Sequence, residues 1–178
     1  MEDVTGELDP TRAIDSLINS VYHRLPFINH EMRDVGLGYS VRAVVVMFGA
    51  NQRTPTPANP IICPGDGATG VLPGWIAQEF PNPLPADVKL PAGCPVSISF
   101  PGAKLIELIT GTVETATGTK LDCVVLTPQT DPHKLLKHDV FLVPKKPLDE
   151  RQSYRASFEV MVDGARKSKA WYFATGSK

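Results

Sequence analysis

Residues 154–162 carry the pattern that most restricts the fold of this chain, an alternation of apolar and polar side chains that holds through Glu159. A period of two is typical of a β-strand that buries one face and exposes the other. Residues 96–100 alternate in the same way. The apolar positions are Tyr154, Ala156, Phe158, Val160 and Val162 in the first segment, and Val96, Ile98 and Phe100 in the second. Both segments are therefore predicted to be half-buried strands.

Short apolar segments separated by turn signals recur along the chain after residue 60. The 17 Pro and 14 Gly concentrate after residue 50, which is typical of an all-β domain with many turns. About seven strands over roughly 120 residues match the scale of an immunoglobulin-like (Ig-like) β-sandwich. Two further segments, 75–79 and 133–138, are interpreted as a loop or single turn and a short polar connection. The predicted strands are 60–63, 95–100, 105–110, 121–127, 140–143, 154–162 and 170–175.

The first 50 residues have a different pattern, which predicts one helix followed by two strands. Asp9 and Pro10 form a typical helix start, a capping residue followed by proline at the first helical position. Apolar residues then follow at helical spacing, and Pro26 ends the helix or lies just beyond its end. The strands are predicted at 35–40 and 43–49. The apolar helix positions are Ile14, Leu17, Ile18, Val21 and Leu25.

A unit of this size cannot bury enough apolar surface to fold alone. We expect either that this unit packs on the downstream domain or that its other half is missing from this chain. The two explanations are compatible. Residues 51–59 are polar and Pro-containing, as is typical of a linker. The sequence thus predicts a mostly β protein: a small α/β unit (residues 1–52) and a β-sandwich (residues 53–178). We expect them to pack through Trp75, the helix face and the Val-rich strand.

Several short motifs have an order that suggests a family. In the N-terminal unit they are SVYHR at 20–24, Pro26, VGLG at 35–38 and a Val-rich strand ending at Phe48-Gly49. This part resembles the end of bacterial CAP (SCP-like) domains. Residues 64–71, 79–85, 93–96 and 154–175 resemble the C-terminal extension of some of these bacterial proteins. The resemblance implies an extracellular or cell-envelope protein in which a CAP-domain remnant precedes an Ig-like extension.

The family resemblance directs attention to His23 and Arg24. Better-studied CAP domains gather two His and two Glu in a cleft, and in some members this tetrad binds a divalent metal. Only His23 matches one of these positions, and one imidazole is one ligand where zinc takes about four. His23 is therefore expected to be an isolated remnant and not a metal site. Either His23 and Arg24 bind a ligand, or His23 hydrogen-bonds locally and Arg24 pairs with a carboxylate or with helix-end carbonyls.

Trp75 opens a long Pro-rich loop that also contains Phe80 and reaches Pro85. Long loops without regular structure are often binding elements or packing arms. Trp75 is therefore a third candidate binding residue. The alternative is that the loop is a strap that covers an edge strand or the CAP-like helix.

The three cysteines, Cys63, Cys94 and Cys123, are an odd number. They are interpreted as buried or half-buried thiols, because free Cys behaves as a small hydrophobic residue. A Cys63–Cys94 disulfide is the alternative if the protein is exported. The spacing of Cys and His matches no zinc motif.

No motif indicates catalysis or a cofactor. No Ser lies in a G-x-S-x-G elbow. His133 and His138 are five residues apart, whereas metalloprotease helices space the pair at four. The G-x-G-x-x-G at residues 65–70 lacks the following helix of a dinucleotide loop and predicts a turn. We therefore expect a protein that is not an enzyme and holds no cofactor.

Charge and hydropathy restrict the partners. A net charge of −1 without a basic stripe argues against nucleic acid. No apolar run approaches the roughly 20 residues of a membrane-spanning helix. The acidic start, Met1-Glu2-Asp3, does not resemble a signal peptide. The expected partner is an unidentified protein or glycan, and an open strand edge in the N-terminal unit favours a homodimer.

Three functions remain open at this point. The first is a non-enzymatic binding module of the cell envelope or extracellular space. The second is part of a metal-binding, hydrolytic CAP protein whose other ligands lie upstream. The third is a structural spacer, a usual role of Ig-like domains.

Overall fold

The computed structural model describes residues 2–5, 9–40, 43–50, 55–76 and 79–177. The described residues of the N-terminal unit form three strands and two helices. These are β1 (Glu2–Thr5), α1 (Pro10–Ile18), α2 (Leu25–Ile28), β2 (Met32–Tyr39) and β3 (Val44–Ala50). The expected helix and two strands are present, and β1 and α2 are additional elements.

The N-terminal strands form one antiparallel sheet in the order β1-β3-β2, and α1 packs on β3. The backbone N–H of Arg12 donates to Asp9 Oδ1 at 3.2 Å, which confirms Asp9 as the helix cap. The apolar stripe of α1 contributes Leu17 to a small core with Val46 and Phe48 of β3. This core is separate from those of the sandwich.

α1 ends at Ile18, so the prediction of one helix reaching Leu25 was wrong. Val21 and Leu25 have helical spacing but pack on the sandwich instead of continuing the apolar face of α1. Pro26 lies in the first turn of α2, where its missing N–H costs no hydrogen bond. Tertiary contacts therefore override the local pattern between residues 19 and 25.

The described residues after Ala50 contain ten strands. They are β4 (Ile61–Cys63), β5 (Ala68–Val71), β6 (Gly74–Trp75), β7 (Ala92–Gly93), β8 (Val96–Ser99), β9 (Ile106–Thr115), β10 (Cys123–Leu126), β11 (Asp139–Pro144), β12 (Ser153–Val162) and β13 (Ala165–Thr175). Each of the seven predicted segments contains or overlaps one of them. The three strands that were not predicted, β5, β6 and β7, are two to four residues long.

Eight of these strands form a β-sandwich, which confirms the mostly β fold class. The inner sheet has the order β10-β11-β8-β4 and the outer sheet β5-β13-β12-β9. Asp163 and Gly164 connect β12 to β13 with φ of 50° and 82°, as a two-residue type I′ turn requires. Alternate residues of both sheets fill the core between them, among them Ile98, Leu142, Phe158 and Trp171.

The inner sheet is buried on both faces: every residue of β8 and β11 is buried. Its second face contacts residues 21–28, Trp75 and the Pro-rich strap, residues 79–91. The N-terminal unit and the sandwich therefore do pack together, and Trp75 takes part as expected. The Val-rich strand β3 does not, because its buried residues face α1. Among the described helices, none is long and apolar enough to cross a membrane.

Candidate functional site

Residues 19–24, which include the S-x-x-H-R motif, lie on the second face of the inner sheet; we call them the docking segment. The backbone N–H groups of Tyr22 and His23 both donate to Glu79 Oε1 at 2.7 Å. Val21 N–H donates to Glu79 Oε2 at 3.3 Å. One carboxylate therefore satisfies three consecutive backbone donors, which have no helical partners because α1 has ended.

Glu79 is almost fully buried, and its environment opposes its charge. Burial raises the pKa of the Glu79 carboxyl above its ordinary value, although the His23 ring and the three backbone donors act in the opposite direction. The His23 Nε2 atom lies 4.0 Å from Glu79 Oε1, and the His23 side chain is 30% exposed. The structure thus supplies His23 with a carboxylate neighbour that no sequence motif identified.

Arg24 is 1% exposed and has its hydrogen bonds inside the protein. Its Nε donates to Ile18 O at 2.6 Å, a carbonyl at the end of α1. Its Nη1 donates to Ser97 Oγ at 3.0 Å, and its guanidinium carbon lies 5.5 Å from the centre of the Phe141 ring. The alternative in which Arg24 binds helix-end carbonyls thus describes its position, and the side chain is not open to a ligand.

Tyr22 joins the docking segment to the 127–138 loop. Its hydroxyl donates to Asp131 Oδ1, and the backbone N–H of Leu135 and Leu136 donate to Asp131 Oδ2 at 2.6 and 2.9 Å. Burial alone would raise the pKa of Asp131, but these donors and His133 N–H outweigh it, so the pKa is lowered. Asp131 is therefore a buried carboxylate held in its ionised form.

Trp75 is 1% exposed, so it is not an accessible binding residue. It packs with Val21 and Tyr22 against the inner sheet. The neighbouring Gly74 carbonyl accepts a hydrogen bond from Asn19 Nδ2 at 2.7 Å. Trp75 and Glu79 thus fix the start of the Pro-rich strap to the docking segment, which agrees with the interpretation of this loop as a packing strap.

The three cysteines are free thiols, and the alternative Cys63–Cys94 disulfide is not formed. Burial raises the pKa of Cys94 to about 12, although the nearby Arg24 guanidinium opposes the shift. Burial, with the Asp122 charge, likewise raises the pKa of Cys123 to about 12. Such thiols stay protonated at neutral pH and are poor nucleophiles.

The polar groups of the docking segment described above form hydrogen bonds with other residues of this chain, and these bonds hold the segment against the inner sheet. His23 lies beside Glu79, and Arg24 and Trp75 are buried against the inner sheet. In the described part of the chain, no three His, Cys, Asp or Glu side chains are grouped in a way that could hold a metal ion. Sequence reasoning gave no role to Glu79, Asp131 or Tyr22.

The Tyr22–Asp131 contact predicts a specific pH dependence. Because the pKa of Asp131 is lowered from 3.8 on folding, its contribution to stability is present above that pH and is lost as the pH falls through the lowered value. Tyr22→Phe should reduce the free energy of unfolding by about 1–2 kcal/mol at pH 7, and the difference from wild type should shrink towards pH 2. Glu79 has a raised pKa, so its own contribution to the pH dependence of stability has the opposite sign. Both proteins contain Glu79, so this contribution does not account for the difference between them.

Urea unfolding of both proteins between pH 2 and pH 7 measures this difference. A stability gap that does not change with pH would show that the hydroxyl does not sustain the low pKa of Asp131.

Comparisons with known proteins leave the family open. No protein-family model matches the chain, and no curated protein matches it. Among solved structures, the chain is similar to CopC from Methylosinus trichosporium OB3b, with 14% sequence identity and a TM-score of 0.39. The match covers 66% of this chain and 94% of that one. At this TM-score the likeness assigns neither a fold family nor a function.

Proposed function

We propose that this protein is a non-enzymatic interaction module that binds a partner protein through the exposed strand β2. The observation that carries the proposal is a row of three large apolar side chains on that strand. Val35, Leu37 and Tyr39 are 59%, 68% and 63% exposed. Contiguous exposed apolar residues on a soluble domain are typical of an interaction surface.

The pairing of β2 with β3 explains why this row is uncovered. Val35 pairs with Phe48, and Leu37 pairs with Val46, so each pair lies on one face of the sheet. On β3 this face packs against α1, whereas on β2 the side chains of the same face are exposed. The row is therefore the uncovered half of an apolar sheet face.

The same strand is also an edge of its sheet. β2 pairs with β3 on one side, and no described strand pairs with its other side. An eight-residue edge presents backbone donors and acceptors that a strand of another chain can use. Strand addition would bury the apolar row beside the new strand, which favours a protein partner over a glycan.

The other two functions have less support. A structural spacer does not need an exposed apolar row on an open edge. The metal-binding alternative requires ligands beyond His23, and Glu79, the carboxylate near it, is already bound to three backbone donors. The CAP-family origin and the extracellular or cell-envelope location form part of this proposal and rest on the motifs in residues 20–49.

A second copy of the chain is the first partner to test. We expect sedimentation of the wild-type protein to show association that increases over roughly a hundredfold range of concentration. Leu37→Lys should abolish it, because a charge in the apolar row would be buried on pairing. Ile109→Lys is the matched control, since Ile109 is 46% exposed on β9, an edge of the outer sheet.

Association that is lost only in the Leu37 variant supports the proposal. A wild-type protein that stays monomeric throughout excludes the second copy as partner. Association that persists in the Leu37 variant would place the contact away from β2.

A further inference from the structure

A cleft of about 380 Å³ lies where α2 meets one end of the inner sheet. Its polar lining includes Ser99 at the end of β8, Asp139 at the start of β11 and the preceding His138. Leu25 and Ile28 of α2 contribute an aliphatic wall. The cleft involves neither the apolar row on β2 nor the Glu79 contacts, so it is independent of the proposed protein-binding surface.

Ser99 and Asp139 are placed together by the register of the sheet. They are directly paired residues of the antiparallel strands β8 and β11, so their side chains lie on the same face. That face is opposite the sandwich core, which receives Ile98 and Val140. Asp139 is 8% exposed and Ser99 4% exposed, so both groups are largely withdrawn from bulk water.

These polar groups have few partners within the protein. Asp139 forms no ion pair with any described residue, and its one hydrogen bond from them is long, 3.4 Å from His138 N–H to Oδ2. The Ser99 hydroxyl receives and donates no hydrogen bond in the described part of the chain. His138 Nδ1 is buried and likewise has no partner there. His138 Nδ1 is thus a buried polar atom without a partner among the described residues, and the Asp139 and Ser99 side chains line the cleft with oxygens that can accept further hydrogen bonds. Because buried polar groups are nearly always satisfied, the cluster suits a ligand that donates hydrogen bonds.

The lining restricts the chemistry of that donor. The Asp139 carboxylate favours a cation and repels an anion. A divalent metal needs several oxygen or nitrogen ligands, and the described residues provide no such group of three. An aliphatic wall beside a carboxylate and a hydroxyl suits an alkyl stem with a charged end, and the volume accommodates a chain of a few methylene groups. The exposed Lys137 and the half-buried Glu31 also line the cleft and carry opposite charges.

We propose that this cleft binds a primary ammonium on an aliphatic stem, with the ammonium at Asp139 and Ser99 and the stem along Leu25 and Ile28. Such a group occurs on a lysine side chain of another protein and in free aliphatic diamines. In both cases the ammonium supplies positive charge and hydrogen bonds to a carboxylate that has no ion pair and only one long hydrogen bond within the described chain.

Calorimetric titration of the full chain with two probes tests the proposal and separates the sources. One probe is N-acetyl-lysine methylamide, which represents a lysine within a peptide, and the other is 1,5-diaminopentane. The same lysine compound acetylated on its side-chain nitrogen is the uncharged control. We expect at least one charged probe to bind and the acetylated compound not to bind. The tighter of the two charged probes identifies the source.

Asp139→Asn should weaken binding of the better probe by roughly tenfold or more, the effect of losing a charge-assisted hydrogen bond. Asp87→Asn, an exposed aspartate outside the cleft, should bind as the wild type does. If the Asp139 variant does not fold, Ser99→Ala replaces it and should weaken binding severalfold. Leu37→Lys should bind normally, so failure here is distinct from failure of the β2 proposal. Absence of binding by both charged probes, or equal binding of the acetylated compound, would overturn the proposal.

Discussion

Glu79→Ala is expected to lower the free energy of unfolding by about 3 kcal/mol, because it leaves three backbone N–H groups without acceptors in a buried site. These donors belong to Val21, Tyr22 and His23, and Glu79 is 2% exposed. Urea unfolding at pH 7, followed by Trp fluorescence, measures the change. The raised pKa of Glu79 shows that burying its charge is unfavourable, so the loss is smaller than three full hydrogen bonds would give.

Two controls assign that effect to the acceptor oxygens. Glu79→Gln retains one oxygen, which can still accept from Tyr22 and His23, so we expect less than half of the loss. Glu150→Ala changes an exposed glutamate and should leave stability within about 0.5 kcal/mol of wild type. If Glu79→Ala is as stable as Glu150→Ala, the carboxylate does not hold the docking segment in place.

Arg24→Ala is the second large effect, with an expected loss of about 3–4 kcal/mol. The substitution removes the hydrogen bonds to Ile18 O and Ser97 Oγ and leaves a cavity over the Phe141 ring. Thermal and urea unfolding at pH 7 measure the change.

Arg24→Met separates the two causes, because it fills most of the volume but donates no hydrogen bond. We expect it to recover about half of the stability that alanine loses. Arg12→Ala, an exposed arginine of α1, should have little effect. If Arg24→Met is as stable as the wild type, packing alone explains the residue, and the hydrogen bonds contribute nothing.

The sandwich could largely be predicted from the sequence because its long strands carry local patterns. The alternation in β12 arises from burial on one face of its sheet, and the apolar run of β11 arises from burial on both faces. β8 alternates as well, although the strap and the docking segment bury its second face too. β5 has no such pattern: it lies beside β13 as a parallel strand, with positive φ at Gly70 within it and at Gly67 just before it. Short strands of this kind depend on backbone pairing with a neighbouring strand, and that pairing leaves no pattern in their own few residues.

The candidate site could be predicted only in part. The S-x-x-H-R motif directed attention to His23 and Arg24, and Trp75 was expected to help join the two parts of the chain. Their contacts, however, come from distant positions: Glu79 is 56 residues from His23, and Asp131 is 109 residues from Tyr22. Contacts across such separations leave no periodic signal. The sequence therefore located the docking segment but did not show that its polar groups are used internally.

Hydrogen–deuterium exchange of the native protein in increasing urea tests most directly whether the docking segment joins the N-terminal unit to the sandwich. The docking segment and α2 (residues 19–28) and strand β11 are expected to form one cooperative unit. If they do, their amides should be strongly protected and should exchange with the same opening free energy. Arg24→Ala should lower the opening free energy of both by the same amount. Exchange of residues 19–28 at a much lower opening free energy, with β11 unaffected by the substitution, would contradict this account.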